Sequence, residues 1–308
     1  MNKLNFLYRF FPVLVISLLA AGCQDDNSEE LKENERRALE EYLIENNITV
    51  LPTASGLYYI PGEEGDGITP EDRDFVELHF MGTLVDGNIF GTTNDSIARA
   101  WDIYDQDVIY GPVRFKVESL LPGLREGLAL MKEGGTATLI LPSDIALGSN
   151  SSNRIPSYST LIYELELVTV IEDPDAHETM LIQAFLDSHN VDRAASTDSI
   201  YFIEEVAGEG DLISNGNIVS VYYKAYYLDG RVFDSNLDEE AYTFSYPGKY
   251  LVEGWNEGLA LMKQGSKGTL LIPYKKGYGE LGLIDNRGIT KVGPYMTILF
   301  DMEITNVE

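Results

Sequence analysis

Apolar residues follow two rhythms along this chain, and the order of the rhythms occurs twice. Each half opens on a spacing of three and four, Leu39-Tyr42-Leu43 in the first and Leu181-Ala184-Phe185 in the second, which puts apolar side chains on one face of a short helix. The first helix is expected over 31–46, a stretch rich in the helix formers Glu, Leu, Arg and Ala. A polar connection follows, then strand-like segments at 57–60 and 200–203. In the second half, residues 218–223 and 225–228 are β-rich and lead into Asp229-Gly230, a pair that supplies the positive φ angles of a tight hairpin turn. Residues 268–273 and 296–304 predict two more strands, the last alternating as a strand with one buried and one solvated face does. Between the hairpin and these strands one short helix is expected over 256–263, ended by Gly265 in the left-handed conformation, with Leu259, Leu261 and Met262 turned to a sheet. The fold class that follows is α+β, an antiparallel sheet curled over one short helix and preceded by another helix, used twice.

The duplication is explicit in the residues. Glu126-Gly127-Leu128-Ala129-Leu130-Met131-Lys132 returns unchanged as 257–263, 131 positions on. Earlier landmarks return 143 positions on: Asp86-Gly87 as Asp229-Gly230, Phe90 as Phe233, Tyr42 as Phe185 and Ile48 as Val191. The difference is a 12-residue insertion in the first copy, between Gly91 and Leu120, in the stretch that carries Trp101 and Tyr104. Two domains are expected, 31–171 and 172–308, each long enough to bury its own core.

Ahead of them, Lys3 and Arg9 precede an apolar run over 10–21, too short to span a bilayer but right for the core of a signal peptide. The run ends in Leu19-Ala20-Ala21-Gly22-Cys23, and Cys23 is the only cysteine of the 308 residues, so no internal disulfide can form. This segment resembles a bacterial lipobox with Ala20 where leucine is commoner. The resemblance implies a signal peptide over 1–22, a lipid on Cys23 and a flexible acidic tether over 23–30. The tether is similar to the acidic stretches of surface-exported lipoproteins of Bacteroidota, which implies an outer-membrane protein, on the periplasmic face or the cell surface.

Charge narrows the function further. Fifty acidic against 22 basic residues leave a net charge of −28, which repels a nucleic-acid backbone. His79, His177 and His189 have no ligand spacing and read as surface residues of strands or helices, and no serine-nucleophile motif occurs. Neither a metal nor a cofactor is expected.

Five separated blocks then carry a resemblance. They are Val221-Tyr222-Tyr223; Asp229-Gly230-Arg231-Val232-Phe233-Asp234-Ser235; Val252-Glu253-Gly254-Trp255-Asn256-Glu257-Gly258-Leu259; Leu271-Ile272-Pro273 with Gly277-Tyr278-Gly279; and Leu299-Phe300. In this order they resemble the signature of the FKBP-type peptidyl-prolyl cis/trans isomerases, over about 195–308 in the second copy and 55–170 in the first. The resemblance implies a shallow aromatic pocket that holds a proline while the preceding peptide bond rotates. Trp255 would form its floor, Tyr223, Phe233, Tyr242 and Phe300 its walls, and Tyr278 and Asp234 its polar rim. Phe244, two residues from Tyr242, competes with it for the same place, and the Val252 N–H would bond a substrate carbonyl. Glu253 stands where the family often has proline, and the loop from Tyr278 to Phe300 is longer than usual, which leaves substrate preference and macrolide binding open.

At the matching positions the first copy has Phe80 for Tyr223, Gly91 for Asp234, Val113 for Tyr242, Leu124 for Trp255, Leu147 for Tyr278 and Tyr163 for Phe300, with Phe90 unchanged. The expectation is a fold kept and a site lost. Isomerase activity on X-Pro bonds of exported proteins is therefore assigned to the second copy, with proline-containing polypeptides and, through Cys23, the membrane as partners. The alternative is a non-catalytic holdase or docking lipoprotein that uses both concave faces, with the long leading helix available for dimerisation.

Overall fold

The structure is a computed structural model, and it describes residues 26–308 apart from 190, 192–195 and 198–199. Cys23 and the expected signal peptide lie outside these residues. The chain enters through α1 (Asp26–Glu45). This helix starts five residues before the expected position and takes up most of the expected tether. Its first turns carry Glu29 and Glu30, and carboxylates there favour a helix because they face its positive end.

The first copy is one antiparallel sheet made of β1 (Tyr58–Pro61), β2 (Phe75–Leu84), β3 (Ile89–Thr92), β4 (Val113–Lys116), β5 (Thr136–Leu141) and β6 (Leu161–Ile171). Its order is β1-β5-β6-β2-β3, with β4 also on β2. Between β3 and β4 lies α2 (Asp95–Ala100), and between β4 and β5 lies α3 (Pro122–Leu128). After β6, α4 (Pro174–Ser188) begins the second copy, with Pro174 in its first turn and Asp173 capping the Ala176 N–H at 3.1 Å.

The second sheet repeats the first. Its strands are β7 (Ser196–Thr197), β8 (Ile200–Val206), β9 (Ile218–Tyr227), β10 (Val232–Ser235), β11 (Tyr242–Ser245), β12 (Lys267–Ile272) and, last in the chain, Ile298–Val307. α5 (Glu253–Leu259) crosses it, and a two-stranded ribbon of β13 (Leu283–Ile284) and β14 (Thr290–Val292) precedes that final strand, β15. The order is β7-β8-β12-β15-β9-β10, with β11 also on β9. The two segments expected on either side of Lys224 are one continuous strand, β9, because β15 pairs with it throughout. The expected turn follows, with Gly230 at φ +86°. Gly265 does take φ +80°, but it does not end α5, whose cap is Ala260 in the right-handed conformation; it sits in the Lys263–Ser266 turn that leads into β12. α5 itself lies earlier than expected, at Glu253–Leu259.

One expectation fails for a physical reason. β15 does not have one dry and one wet face along its length: Ile298, Leu299 and Phe300 are all buried. Alternation sends Leu270, Ile272, Ile298 and Phe300 into the core beneath α5, while Leu271 and Leu299 point the other way and are covered by Ile182 and Leu186 of α4. The first copy does the same, with Leu139 and Leu141 beneath α3 and Ile140 and Ile162 beneath Leu39 of α1. Each leading helix is thus the outer layer of its own domain, its apolar face spent on the sheet.

Candidate functional site: an aromatic pocket on the second sheet

α5 reaches close to the sheet because of Gly258, where a Cβ would stand 2.3 Å from Leu270 Cδ2. That approach presses Trp255 into the core, leaving it 2% exposed. The indole is surrounded by Tyr223 edge-on at 5.6 Å, Phe300 at 5.7 Å, Phe244 at 5.8 Å and Tyr242 at 6.4 Å between ring centroids. Phe233 meets Phe300 edge-on at 6.3 Å. The sequence left Tyr242 and Phe244 as rivals for one place. Both flank the indole, since alternate residues of β11 share a face, and they stack on each other at 5.2 Å.

Trp255 is more deeply set than a wall residue. It belongs to the same apolar cluster as Leu259, Leu270 and Ile298, so its truncation is a core mutation as well as a pocket mutation. Its Nε1 is buried without a hydrogen-bond acceptor. At the start of α5, Val252 takes φ −61° and ψ 152°, and its N–H is accepted by no protein oxygen among the described residues.

The polar edge is built by a β-bulge. Val232 pairs with Tyr226 and Asp234 with Ala225, so Phe233 is the extra residue, and a bulge of this kind re-aims side chains. Phe233 stacks on Tyr227 at 5.2 Å, while the exposed Asp234 accepts the Tyr223 hydroxyl at 2.8 Å. Burial, and then the Asp234 charge, push the Tyr223 and Tyr278 phenols above their ordinary values, so both remain protonated donors at neutral pH.

Three features escaped the sequence. Tyr227 is buried and donates to the Lys291 carbonyl, tying the pocket wall to β14. Asn236 is buried, accepts the Tyr223 N–H at 2.7 Å and donates to the Val221 carbonyl at 3.0 Å, holding the bulge against β9. Glu178 of α4 accepts the Tyr274 N–H at 2.7 Å and the Thr297 hydroxyl at 2.5 Å, fixing the outer helix to the loop that leads to Tyr278. Glu35 of α1 does the same in the first copy, with the Ser143 N–H at 2.6 Å and the Thr160 hydroxyl at 2.9 Å. The signal existed: Glu35 and Glu178 are 143 positions apart, the spacing of the other repeated landmarks.

The sheet registers agree with three of the residue matches between the copies, Gly91 with Asp234, Tyr163 with Phe300 and Val113 with Tyr242. Gly82 opposes both Tyr163 and Gly91 as Ala225 opposes Phe300 and Asp234, and Leu78 opposes Val113 as Val221 opposes Tyr242. Phe80 and Phe90 still meet Tyr163 at 6.0 and 5.4 Å. With Leu124 in place of the tryptophan, an apolar hollow of about 250 Å³ opens between Phe80, Phe115, Leu121, Leu124 and Tyr163. It has no carboxylate at the Asp234 position. Among the described residues no His, Cys, Asp or Glu cluster suits a metal, and no helix is long and apolar enough to cross a membrane.

The second copy is thus a sheet folded onto one short helix, with a tryptophan set among Tyr223, Tyr242, Phe244 and Phe300 between them. The family model for FKBP-type peptidyl-prolyl cis-trans isomerases matches residues 67–168 and 210–305, more than half of the chain. The chain belongs to that family, with two tandem copies of its domain.

Among curated relatives, the FKBP-type peptidyl-prolyl cis-trans isomerase FkpA of Escherichia coli strain K12 is 34% identical over 127 residues, 41% of this chain and 42% of that protein. A probable FkpA of Neisseria meningitidis is 31% identical over 153 residues, 49% of this chain and 51% of that protein. The chain therefore spans about half or less of the length of these relatives. The crystal structure of Escherichia coli FkpA covers 47% of this chain and 62% of its own at 30% identity and a TM-score of 0.39. That of the three FKBP domains of wheat FKBP73 covers 83% and 96% at 20% identity and a TM-score of 0.34.

Proposed function

We propose that the second copy catalyses cis/trans rotation of X-Pro peptide bonds and that the first does not. The observation carrying this reading is the Trp255 indole enclosed by Tyr223, Tyr242, Phe244 and Phe300, with the Tyr223–Asp234 hydrogen bond at its edge. Rotation faces a barrier of about 18–20 kcal/mol from lost amide resonance. A twisted amide is less dipolar than a planar one, so an apolar surface destabilises the ground state relative to the transition state. The free Val252 N–H suits the substrate carbonyl, which fixes one side of the bond while the prolyl ring sits on the aromatic floor. Asp234 orients the Tyr223 hydroxyl toward the rim. A millionfold acceleration asks for about 8 kcal/mol, within reach of desolvation, fit and one or two aimed hydrogen bonds.

Replacing Asp234 with Val tests this assignment. The carboxylate is exposed, and its partners are the Tyr223 hydroxyl and the Ser235 N–H, so the melting temperature should fall by no more than about 5 °C, the worth of one such hydrogen bond, while kcat/KM falls at least fivefold. Unchanged turnover in a folded variant removes Asp234 from the site.

The chain acts on exported polypeptides from a lipid anchor on Cys23, a reading supported by the apolar run over 10–21 and by the lone cysteine at its end. The second reading, a chain-holding module, is favoured by the apolar hollow that survives in the first copy. It predicts suppression of aggregation without any prolyl exchange.

A further inference from the structure

The two length anomalies of the sequence, the insertion of the first copy and the long Tyr278–Phe300 loop of the second, pack against each other. The Arg287 guanidinium, at the tip between β13 and β14, donates to Asp107 at 2.6 Å and to Asp105 at 3.4 Å. Lys291 donates to the Asp107 carbonyl. Arg231 donates to the Pro112 carbonyl at 3.2 Å and lies 5.0 Å from the Tyr227 ring centre. Arg114, 7% exposed and paired with Glu77 at 2.8 Å, donates to the Tyr295 carbonyl at 2.9 Å. Ile109 of the insertion packs against the second core, the cluster that holds Trp255 and Phe300. In a chain with 22 basic residues, four of them are committed to this one seam.

The ribbon held in this way borders the pocket. It lies between Tyr278 and Phe300 in the chain, its Leu283 and Val292 belong to the Trp255 cluster, and the Lys291 carbonyl accepts from Tyr227, which stacks on Phe233. Leu281, two residues before β13, and Ile284 within it are 87% and 60% exposed, apolar surface that suits residues flanking a substrate proline. The tip is already ordered locally, since Asp285 accepts the Arg287 and Ile289 N–H groups at 2.9 Å. What the first copy adds is a fixed position relative to the pocket.

We infer that the first copy is a positioning element for the second copy's site: Asp105 and Asp107, acting through Arg287, and Arg231, acting through Tyr227, set where the β13–β14 ribbon meets the substrate chain. This rests on the reading of the second pocket as the isomerase site. Degeneracy of the first pocket then costs nothing, because its domain serves through its insertion.

The test uses the full chain. Asp107→Arg places a third cation beside Arg287 and Lys291, Arg287→Asp reverses the other side, and the double variant restores opposite charges. Each is assayed by NMR exchange on Leu-Pro and Glu-Pro peptides and by amide hydrogen exchange over 281–294. The single variants should raise KM for the Leu-Pro peptide three- to tenfold, leave kcat within twofold and speed amide exchange of the ribbon. The double variant should return both quantities to within twofold of wild type. Singles with unchanged KM and protection, or a double variant no better than the singles, overturn the inference. If the wild-type chain does not catalyse exchange, the pocket reading fails instead. Ribbon protection then decides the coupling alone, and unchanged protection in Asp107→Arg refutes it.

Discussion

Replacing Trp255 with Leu gives the second copy the residue that the first copy carries at the same place, Leu124. A buried tryptophan removes roughly 200 Å² from water, worth about 5 kcal/mol at 25 cal/mol per Å². Leucine restores roughly half of that, and loss of the unpartnered buried Nε1 donor returns about 1 kcal/mol. The net cost is about 1–2 kcal/mol, a fall of about 4–8 °C in the melting temperature of a domain this size. The domain should therefore stay folded, with a hollow like that of the first copy beneath Tyr223 and Phe300. Turnover has no such offset: without the indole the floor is lost, and kcat/KM should drop at least tenfold, about 1.4 kcal/mol of transition-state preference. Scanning calorimetry and peptide exchange on the same preparation separate the two effects. A Trp255→Leu chain that keeps its isomerase activity within threefold of wild type refutes the idea that the indole is the working floor.

Burial holds the Glu178 carboxyl above its usual value of 4.5, so its protonated form favours the folded state. That contribution is complete below the ordinary value and fades as pH rises through the raised folded value. The melting temperature of the second domain should accordingly gain on that of Glu178→Gln as pH falls from 8 to 4.5, and a constant gap between the two contradicts the buried latch. Glu178→Ala leaves the Tyr274 N–H and the Thr297 hydroxyl unpartnered and should cost about 2–4 kcal/mol, measured by urea unfolding. Cys23→Ala should move the protein from the membrane to the soluble fraction, and retention after a carbonate wash rules out the lipid anchor.

The duplication and the hairpin at Asp229-Gly230 were legible in the residues, because turn chemistry and repeated blocks are local signals, whereas the aromatic set around Trp255 came only through the family resemblance of the blocks that carry it. What stayed hidden was relational. Glu35 and Glu178 lie on acidic amphipathic helices in an acidic chain, where one carboxylate looks like another until a buried N–H meets it. The outer face of each sheet reads as solvated from alternation alone, since the helix that covers it comes from far earlier in the chain. Tyr227 reads as one more aromatic in a β-rich run, and only its contact with the Lys291 carbonyl gives it a place in the site. The seam between Asp107 and Arg287 joins residues 180 positions apart, and no pattern in either loop announces the other.

An isomerase site in the second copy must accelerate rotation about proline. The most direct measurement is the cis/trans exchange rate of a Leu-Pro peptide by NMR, with the full chain added at catalytic concentration and the Asp234→Val chain as its control. Exchange should be faster than the tens to hundreds of seconds of the unaided bond, saturable in peptide and at least fivefold weaker in the variant. An exchange rate unchanged by the wild-type chain, alongside suppressed aggregation of an unfolded protein, contradicts it and leaves a module that holds chains without turning them.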